Sequence, residues 1–285
     1  MSDAEGCTVE TVRKPRDRNS RELPDPLIEL RDVHKSFDGI TVLDGMSLEI
    51  HPGEITVILG PSGTGKSVLL KHMVGLLKPD SGEVWFEGER IDTCSEAQLV
   101  EVRRRMGYLF QLGALFDSMT VAENICFPLV EHNSVSEDEK RERCHRVLKI
   151  VGLEGIEEKS PAELSGGQQK RVALARAIIL EPDVIFYDEP TTGLDPVRAD
   201  LIDELMRSLN DNLGITSVVV THDIDSARKI ADRMVMLYDG KVLADGSPES
   251  FENAGNDFVR RFIQGQASEE DLALIRQGFS GESES

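Results

Sequence analysis

The chain reads as an α/β protein, with an antiparallel β layer ahead of a parallel sheet and a helical lobe inserted between two of its strands. Three observations carry that reading. Ile55–Leu59 is a short apolar, β-branched run of the kind that forms a buried parallel strand, and Val184–Tyr187 reads as a second buried strand. Ahead of them Leu27–Val33 alternates apolar and polar residues, and Thr41–Ile50 follows a turn at Phe37-Asp38-Gly39, so two antiparallel strands form a small layer of their own. Between the two buried strands, from Leu112 to about Ile179, the signal is helical.

Taken in order, residues 1–26 mix charge with Pro and Ser and end in Pro24-Asp25-Pro26, a disordered arm with no apolar segment that would make it a signal peptide. The main domain spans 27–255. Its first two strands close at Pro52-Gly53, Ile55–Leu59 follows, and Val68–Leu77 reads as a helix. Glu83–Gly88 and Met106–Phe110 are further strands. The helical lobe, about 112–179, is interrupted at Pro128 and Pro161, and within it Glu137–Val151 is amphipathic, with Val147, Leu148 and Val151 among many charges. After Val184–Tyr187 come a helix over Ala199–Leu213 and the strand Thr216–Val220. Met234–Tyr238 and Val242–Asp245 make a closing hairpin turned at Asp239-Gly240. Residues 256–285 form a C-terminal extension: two short helices over 256–277, then a polar tail. No internal repeat is visible.

Chemistry concentrates first between Leu59 and Val68. Gly60-Pro61-Ser62-Gly63-Thr64-Gly65-Lys66-Ser67 matches G-x-x-x-x-G-K-[ST], the phosphate-binding loop, in its required strand–loop–helix setting. The glycines let successive N–H groups point into one concavity, and the helix that opens at Val68 adds the positive end of its dipole. Lys66 can reach outer phosphates and the Ser67 hydroxyl can ligate Mg²⁺. Asp188 and Glu189 end a buried strand, which places one carboxylate for Mg²⁺ and the next to take a proton from water; an acidic strand end facing solvent is the plainer alternative. Leu164-Ser165-Gly166-Gly167-Gln168 precedes a helix-forming run, Gln169–Ile179. Ser165 can cap that helix while the glycines leave its first N–H groups bare, a second anion site or simply a cap. Gln111 after a strand can ligate Mg²⁺ or sit at the surface, His222 after a strand can meet a γ-phosphate or be merely exposed, and Phe37 can stack on adenine or belong to the core.

Composition narrows the setting. Thirty-two Lys and Arg stand against 52 Asp and Glu, a formal net charge of −20, which disfavours nucleic acid and anionic lipid as direct partners. The four cysteines form no C-x-x-C pair, which argues against a disulfide frame or zinc site and for a reducing, cytoplasmic setting. No apolar run reaches bilayer-spanning length.

The order of aromatic turn, phosphate loop, Gln111, Leu164–Gln168, acidic strand end, Gly193-Leu194-Asp195 and His222 resembles the nucleotide-binding subunit of ATP-binding cassette (ABC) proteins over residues 27–250. The resemblance implies a P-loop NTPase core of the ABC ATPase type, binding ATP with Mg²⁺. It also implies head-to-tail pairing of two copies, Ser165, Gly166, Gly167 and Gln168 of one closing on ATP held by residues 60–68 of the other. Glu189 would then be the general base and His222 the group that positions the γ-phosphate, with Gly193-Leu194-Asp195 across the interface. Asp188, Ser67 and Gln111 would hold the metal, and Phe37 would stack on the adenine.

Within that family, the run Gly113-Ala114-Leu115-Phe116-Asp117-Ser118-Met119-Thr120-Val121, followed by Phe127-Pro128-Leu129, is similar to the ATPase of Mla/MCE lipid transporters. That likeness implies separate permease subunits, an MCE-domain lipid-binding partner, phospholipid or other hydrophobic cargo, and a peripheral position on the cytoplasmic face of the membrane. The ATPase of a transporter for another solute would share every catalytic residue. An ABC protein acting on nucleic acid or the ribosome is the third reading. Phe258, Phe262 and Ile263 could form the apolar face of a C-terminal arm that reaches the second copy, or fold back on their own domain.

Overall fold

The computed structural model describes residues 25–132, 135–253 and 255–266. Its strands are β1 (Ile28–Phe37), β2 (Ile40–Ile50), β3 (Ile55–Leu59), β4 (Ser81–Phe86), β5 (Glu89–Arg90), β6 (Met106–Leu109), β7 (Val184–Asp188), β8 (Thr216–Val220), β9 (Arg233–Tyr238) and β10 (Lys241–Gly246). They form a four-stranded sheet in the order β2-β1-β4-β5 and a six-stranded sheet in the order β10-β9-β3-β8-β7-β6. The first is antiparallel throughout; in the second only the β9–β10 pair is antiparallel.

The apolar runs are continuous because helices or the β layer cover both faces of the large sheet. Along β3, Ile55, Val57 and Leu59 enter one core cluster and Ile58 the other; along β7, Ile185 and Tyr187 face one side and Val184 and Phe186 the opposite one. A sheet wet on one face would have alternated with polar residues.

β1 runs four residues beyond the expected Val33. A bulge at Asp32, whose φ is 50°, breaks the apolar–polar alternation on which the expectation rested. Past it the strand still pairs with β2, Phe37 opposite Ile40, around a turn in which Asp38 and Gly39 both have positive φ (49° and 81°). Asp239 and Gly240 turn the closing hairpin in the same way.

The helices are α1 (Lys66–Met73), α2 (Glu96–Arg103), α3 (Val121–Glu131), α4 (Glu137–Ile150), α5 (Gly166–Ile178), α6 (Pro196–Leu213), α7 (Ile224–Ile230), α8 (Pro248–Glu252) and α9 (Asp257–Ile263). The lobe inserted between β6 and β7 holds α3, α4 and α5, but it departs from expectation three times. Residues 111–120 are loop, with α3 starting only at the Thr120–Glu123 capping box. Pro128 does not interrupt α3; it lies inside it. Burial of Val121, Ile125 and Leu129 on one face, roughly 1.5–3 kcal/mol each, outweighs the ~3 kcal/mol an internal proline costs. The helical run is interrupted earlier than Pro161: α4 ends at Ile150, and Pro161 lies within the turns that follow, opening a short 3₁₀ turn over Pro161–Glu163.

Three helices lie outside the stretches read as helical: α2, α7, which Asp223 caps and which buries Ala227 and Ile230, and α8. α2 is announced by a Ser95–Gln98 capping box and buries Leu99 and Val102; α8 is capped by Ser247 and opens on Pro248. At the C-terminal end, α9 buries Val259 and Ile263, Phe258 and Phe262 lie against the same core, and the Phe258 ring meets Tyr238 at 4.3 Å between centroids. These residues fold back on their own domain. The arm expected at 1–26 falls outside the described residues apart from Asp25 and Pro26, as do the second short helix expected within 256–277 and the polar tail.

Candidate nucleotide site

Strand order assembles the site. β8 lies between β3 and β7, with β6 beyond β7, so four parallel strands deliver residues 60, 221, 188 and 110 to one carboxyl edge of the sheet. Loops at such an edge are where open α/β sheets bind ligands.

From β3 the chain enters residues 60–65 and then α1. Gly60, Gly63 and Gly65 have φ of 151°, 82° and 90°. A Cβ at Gly60 would come 2.4 Å from the Leu237 carbonyl oxygen, and one at Gly65 would meet the Val42 side chain at 2.9 Å. Around Gly63 there is open space, on the outer side of a cradle that Ser62 and Gly63 expose to solvent. Lys66 curls back over this loop, donating from Nζ to the carbonyls of Gly60 and Pro61, each at 2.7 Å. Burial lowers its pKa, and the charges of Glu189 and Asp188 partly oppose that shift. Val68 is the third residue of α1 and half-buried.

The Ser67 hydroxyl donates to Asp188 Oδ1 at 3.1 Å. Hydroxyl and carboxylate are both hard oxygen donors, the set Mg²⁺ takes, so the residues present fit that ion. The other Asp188 oxygen accepts from the Tyr108 hydroxyl at 3.3 Å. Burial, together with the Asp188 charge, holds that phenol protonated and donating. Gln111, two residues past β6, is exposed, and among the described residues no hydrogen bond joins it to Ser67 or Asp188.

Glu189 sits just past β7 in the left-handed region (φ 52°), its N–H donating to the Val220 carbonyl of β8. Its Oε2 accepts from His222 Nδ1 at 2.8 Å and from the Thr192 hydroxyl at 3.0 Å. Because a carboxylate only accepts, Nδ1 carries the proton and Nε2 is left for another partner. The carboxylate is half-buried while the imidazole is largely exposed.

Ser165 caps α5 through Gln168 N–H, and Gln168 Oε1 accepts the Ser165 N–H in return. Gln168 is thereby committed to the cap, and the N–H groups of Gly166 and Gly167 are the ones left bare. Leu194 and Arg198 lie beside those glycines. Phe37 is 41 % exposed, near Ile40 at 70 %, with Lys35 Nζ 5.4 Å from its ring centroid. It is not a core residue.

The structure thus joins Lys66, Ser67, Asp188, Glu189 and His222, and leaves Gln111 and Phe37 at the surface. Sequence reasoning missed Tyr108, Thr192 and Lys170; the last donates to three carbonyls of the 189–192 turn. Tyr108 and Lys170 meet their partners only through packing, and no sequence pattern singled out Thr192.

The family model described as ABC transporter matches residues 43–192. A probable ribonucleotide transport ATP-binding protein, Mkl, of Mycobacterium leprae is 42 % identical over 84 % of this chain and 69 % of its own. The intermembrane phospholipid transport system ATP-binding protein MlaF of Escherichia coli (strain K12) is 42 % identical over 85 % of this chain and 90 % of its own. Among solved structures, a dimeric ATP-binding cassette in a post-hydrolysis state bound to ADP and Pi matches with a TM-score of 0.71 and 37 % identity, covering 78 % of this chain and 98 % of that one.

Proposed function

The chain belongs to the ABC transporter family as an ATP-hydrolysing subunit, and from that premise we propose that it drives a separate membrane permease for phospholipid in an MCE-type system. Two copies would pair head to tail around two ATP. In each, Lys66 and the N–H groups of the 60–67 loop, Pro61 excepted, hold the phosphates, Phe37 offers an exposed ring to the adenine, and Gly166 and Gly167 of the partner copy close the far side. Ser67 and Asp188, with Gln111 brought in on closure, would hold Mg²⁺, whose chemistry is to neutralise charge on the phosphates. Glu189 accepts the proton of the attacking water at its carboxylate. His222 is oriented by that carboxylate through Nδ1, and an Nε2 that also carries a proton would donate to a γ-phosphate oxygen. Among the described residues no helix is long and apolar enough to cross a membrane; the proposed place is peripheral, on the cytoplasmic face, through the permease.

The observation that carries the base assignment is the 2.8 Å contact between Glu189 and His222 at the edge that also holds Lys66 and Asp188. Glu189→Gln is expected to bind ATP, accumulate as an ATP-bound dimer and lose turnover by roughly 1,000-fold. Hydrolysis at the parent rate would show that the base lies elsewhere.

The lipid reading rests on the likeness to MlaF and on the loop at 113–120. That loop is tightly fixed: Asn124, fully buried, receives Phe116 N–H and donates to the carbonyls of Phe116, Met119 and Thr120, while Arg176 donates to those of Gly113 and Ala114. The name of the Mycobacterium relative favours a second reading, a nucleotide-type solute. Gentle solubilisation of membranes, retrieval of the tagged chain and mass spectrometry of proteins and lipids separate them. An MCE-domain protein and a multi-span permease carrying phospholipid support the first reading; a solute permease with a different binding protein supports the second.

A further inference from the structure

We infer that Lys170 is a positioning residue for hydrolysis: from the second turn of α5 its ammonium fixes the backbone turn, residues 189–192, that presents the Glu189 carboxylate. The inference rests on the reading of Glu189 as the base.

Lys170 is 6 % exposed. Its Nζ donates to the carbonyls of Pro190 at 2.6 Å, Thr192 at 2.8 Å and Glu189 at 3.4 Å. An ammonium has three N–H groups, and here each has one carbonyl of a single tight turn. Among the described residues no carboxylate lies within ion-pair distance of Nζ. A desolvated cation spent on neutral carbonyls is a costly way to fill space, since a methionine or leucine would pack there without the penalty. What the ammonium does that an apolar side chain cannot is gather three carbonyls to one point.

The turn it gathers needs such help. Glu189 is non-glycine with φ of 52°, a conformation that persists only where surroundings over-determine it. Two further bonds act from other sides: Glu189 N–H to Val220 O at 2.9 Å, and the Thr192 hydroxyl to Glu189 Oε2 at 3.0 Å. The second depends on Thr192 being where Lys170 holds it. The carboxylate direction is therefore set by backbone that α5 anchors. Ser165, the cap of α5, stands five residues before Lys170, about 7.5 Å along the helix axis. One rigid element thus carries both the bare N–H groups offered to the partner's nucleotide and the anchor of this copy's own base.

The test uses the full chain with MgATP, comparing Lys170→Met and Lys170→Gln with the parent and with Glu189→Gln. In both Lys170 variants kcat is expected to fall on the order of 100-fold while KM and the equilibrium affinity for ATP stay within about twofold, because orientation is lost and binding is not. Thermal unfolding confirms that each variant is folded. Lys170→Gln, which keeps two donors, serves if Lys170→Met fails to fold. Parental kcat in a folded Lys170→Met or Lys170→Gln would overturn the inference. So would a loss of ATP affinity that matches the loss of rate, or unfolding of both variants, since either outcome places Lys170 in the framework alone. If Glu189→Gln keeps the parental rate, the base reading falls first; if Glu189→Gln is inactive and Lys170→Met is not, only the role of Lys170 is lost.

Discussion

A Cβ on Gly60 would lie 2.4 Å from the Leu237 carbonyl, whereas one on Gly63 meets nothing within 4 Å. The two glycines occupy one loop, yet they answer to different constraints. Gly60→Ala forces backbone apart and is expected to cost about 1–3 kcal/mol of unfolding free energy together with most ATP affinity. Gly63→Ala carries chiefly the left-handed penalty of its 82° φ, about 1–2 kcal/mol, without a collision. Denaturant unfolding and ATP titration of both variants check this; equal losses would mean conformation alone decides. Asp203 supplies a residue-scale pH effect. Burial, with the charges of Asp223 and Asp200 adding, raises its pKa to about 6, despite the Ser226 hydroxyl donating to Oδ1 at 2.5 Å and the nearby Lys229 charge. The folded state therefore binds this proton more tightly than the unfolded one. Stability from this group is fully present below the unfolded value and is lost as pH rises through about 6. Asp203→Asn should flatten that loss, so the urea midpoint of the parent, relative to the variant, falls between about pH 4 and pH 7 and is level above that. A parallel pH profile in both would remove Asp203 as the cause. Residues of contiguous motifs were legible in the sequence: Lys66, Ser67, Asp188, Glu189 and His222 each follow a strand or open a helix. Tyr108 and Lys170 were not, because their partners lie 80 and about 20 positions away and only packing brings them together.

Whole elements were read best where period and cap agree. β3, β7 and β8 were legible as short runs rich in β-branched and aromatic residues, and β9–β10 through its Asp-Gly turn. α2 was not, for its short run offers only Leu99 and Val102 to the core, and its signal was the Ser95–Gln98 box rather than an apolar stripe. α3 misled because proline is a local veto that tertiary burial can override. α9 was seen as apolar, but which surface it covers is a matter of packing: Val259 is fully buried beneath it and Phe258 rests on Tyr238. Its removal should thus act on the fold before it acts on pairing. Deleting residues 256–285 is expected to lower the unfolding temperature, and Val259→Ala alone to cost about 1–2 kcal/mol by leaving a void among its neighbours. An unchanged unfolding transition in the truncated chain would show that α9 is an appendage, and would return the C-terminal segment to a role between copies.

At the scale of the whole molecule, sequence could place each motif at a strand end but not the order of the strands. Inserting β8 between β3 and β7 is what sets His222 beside Glu189 rather than on a distant edge. Net charge, by contrast, needs no structure. Each copy carries −20 formally, and pairing around two nucleotide phosphate chains brings further negative charge into the same volume. Long-range repulsion between copies then opposes the attraction of bare N–H groups and Lys66 for the phosphates. The two act over different ranges. Contacts within the closed site are short and shielded from solvent, so salt weakens them little, while repulsion between exposed charges is largely screened beyond about 10 Å at 0.1 M ionic strength. Raising NaCl should therefore strengthen pairing, opposite to the behaviour of a complex held by complementary surface charge. With Glu189→Gln, which removes turnover from the measurement, the dimer fraction in MgATP at fixed protein concentration is expected to rise between about 20 mM and 200 mM NaCl. Size-exclusion chromatography with light scattering reads it directly. A dimer fraction that falls with salt would mean that charge pairs across the interface, Arg198 beside Gly167 among the candidates, outweigh the repulsion of the acidic surfaces.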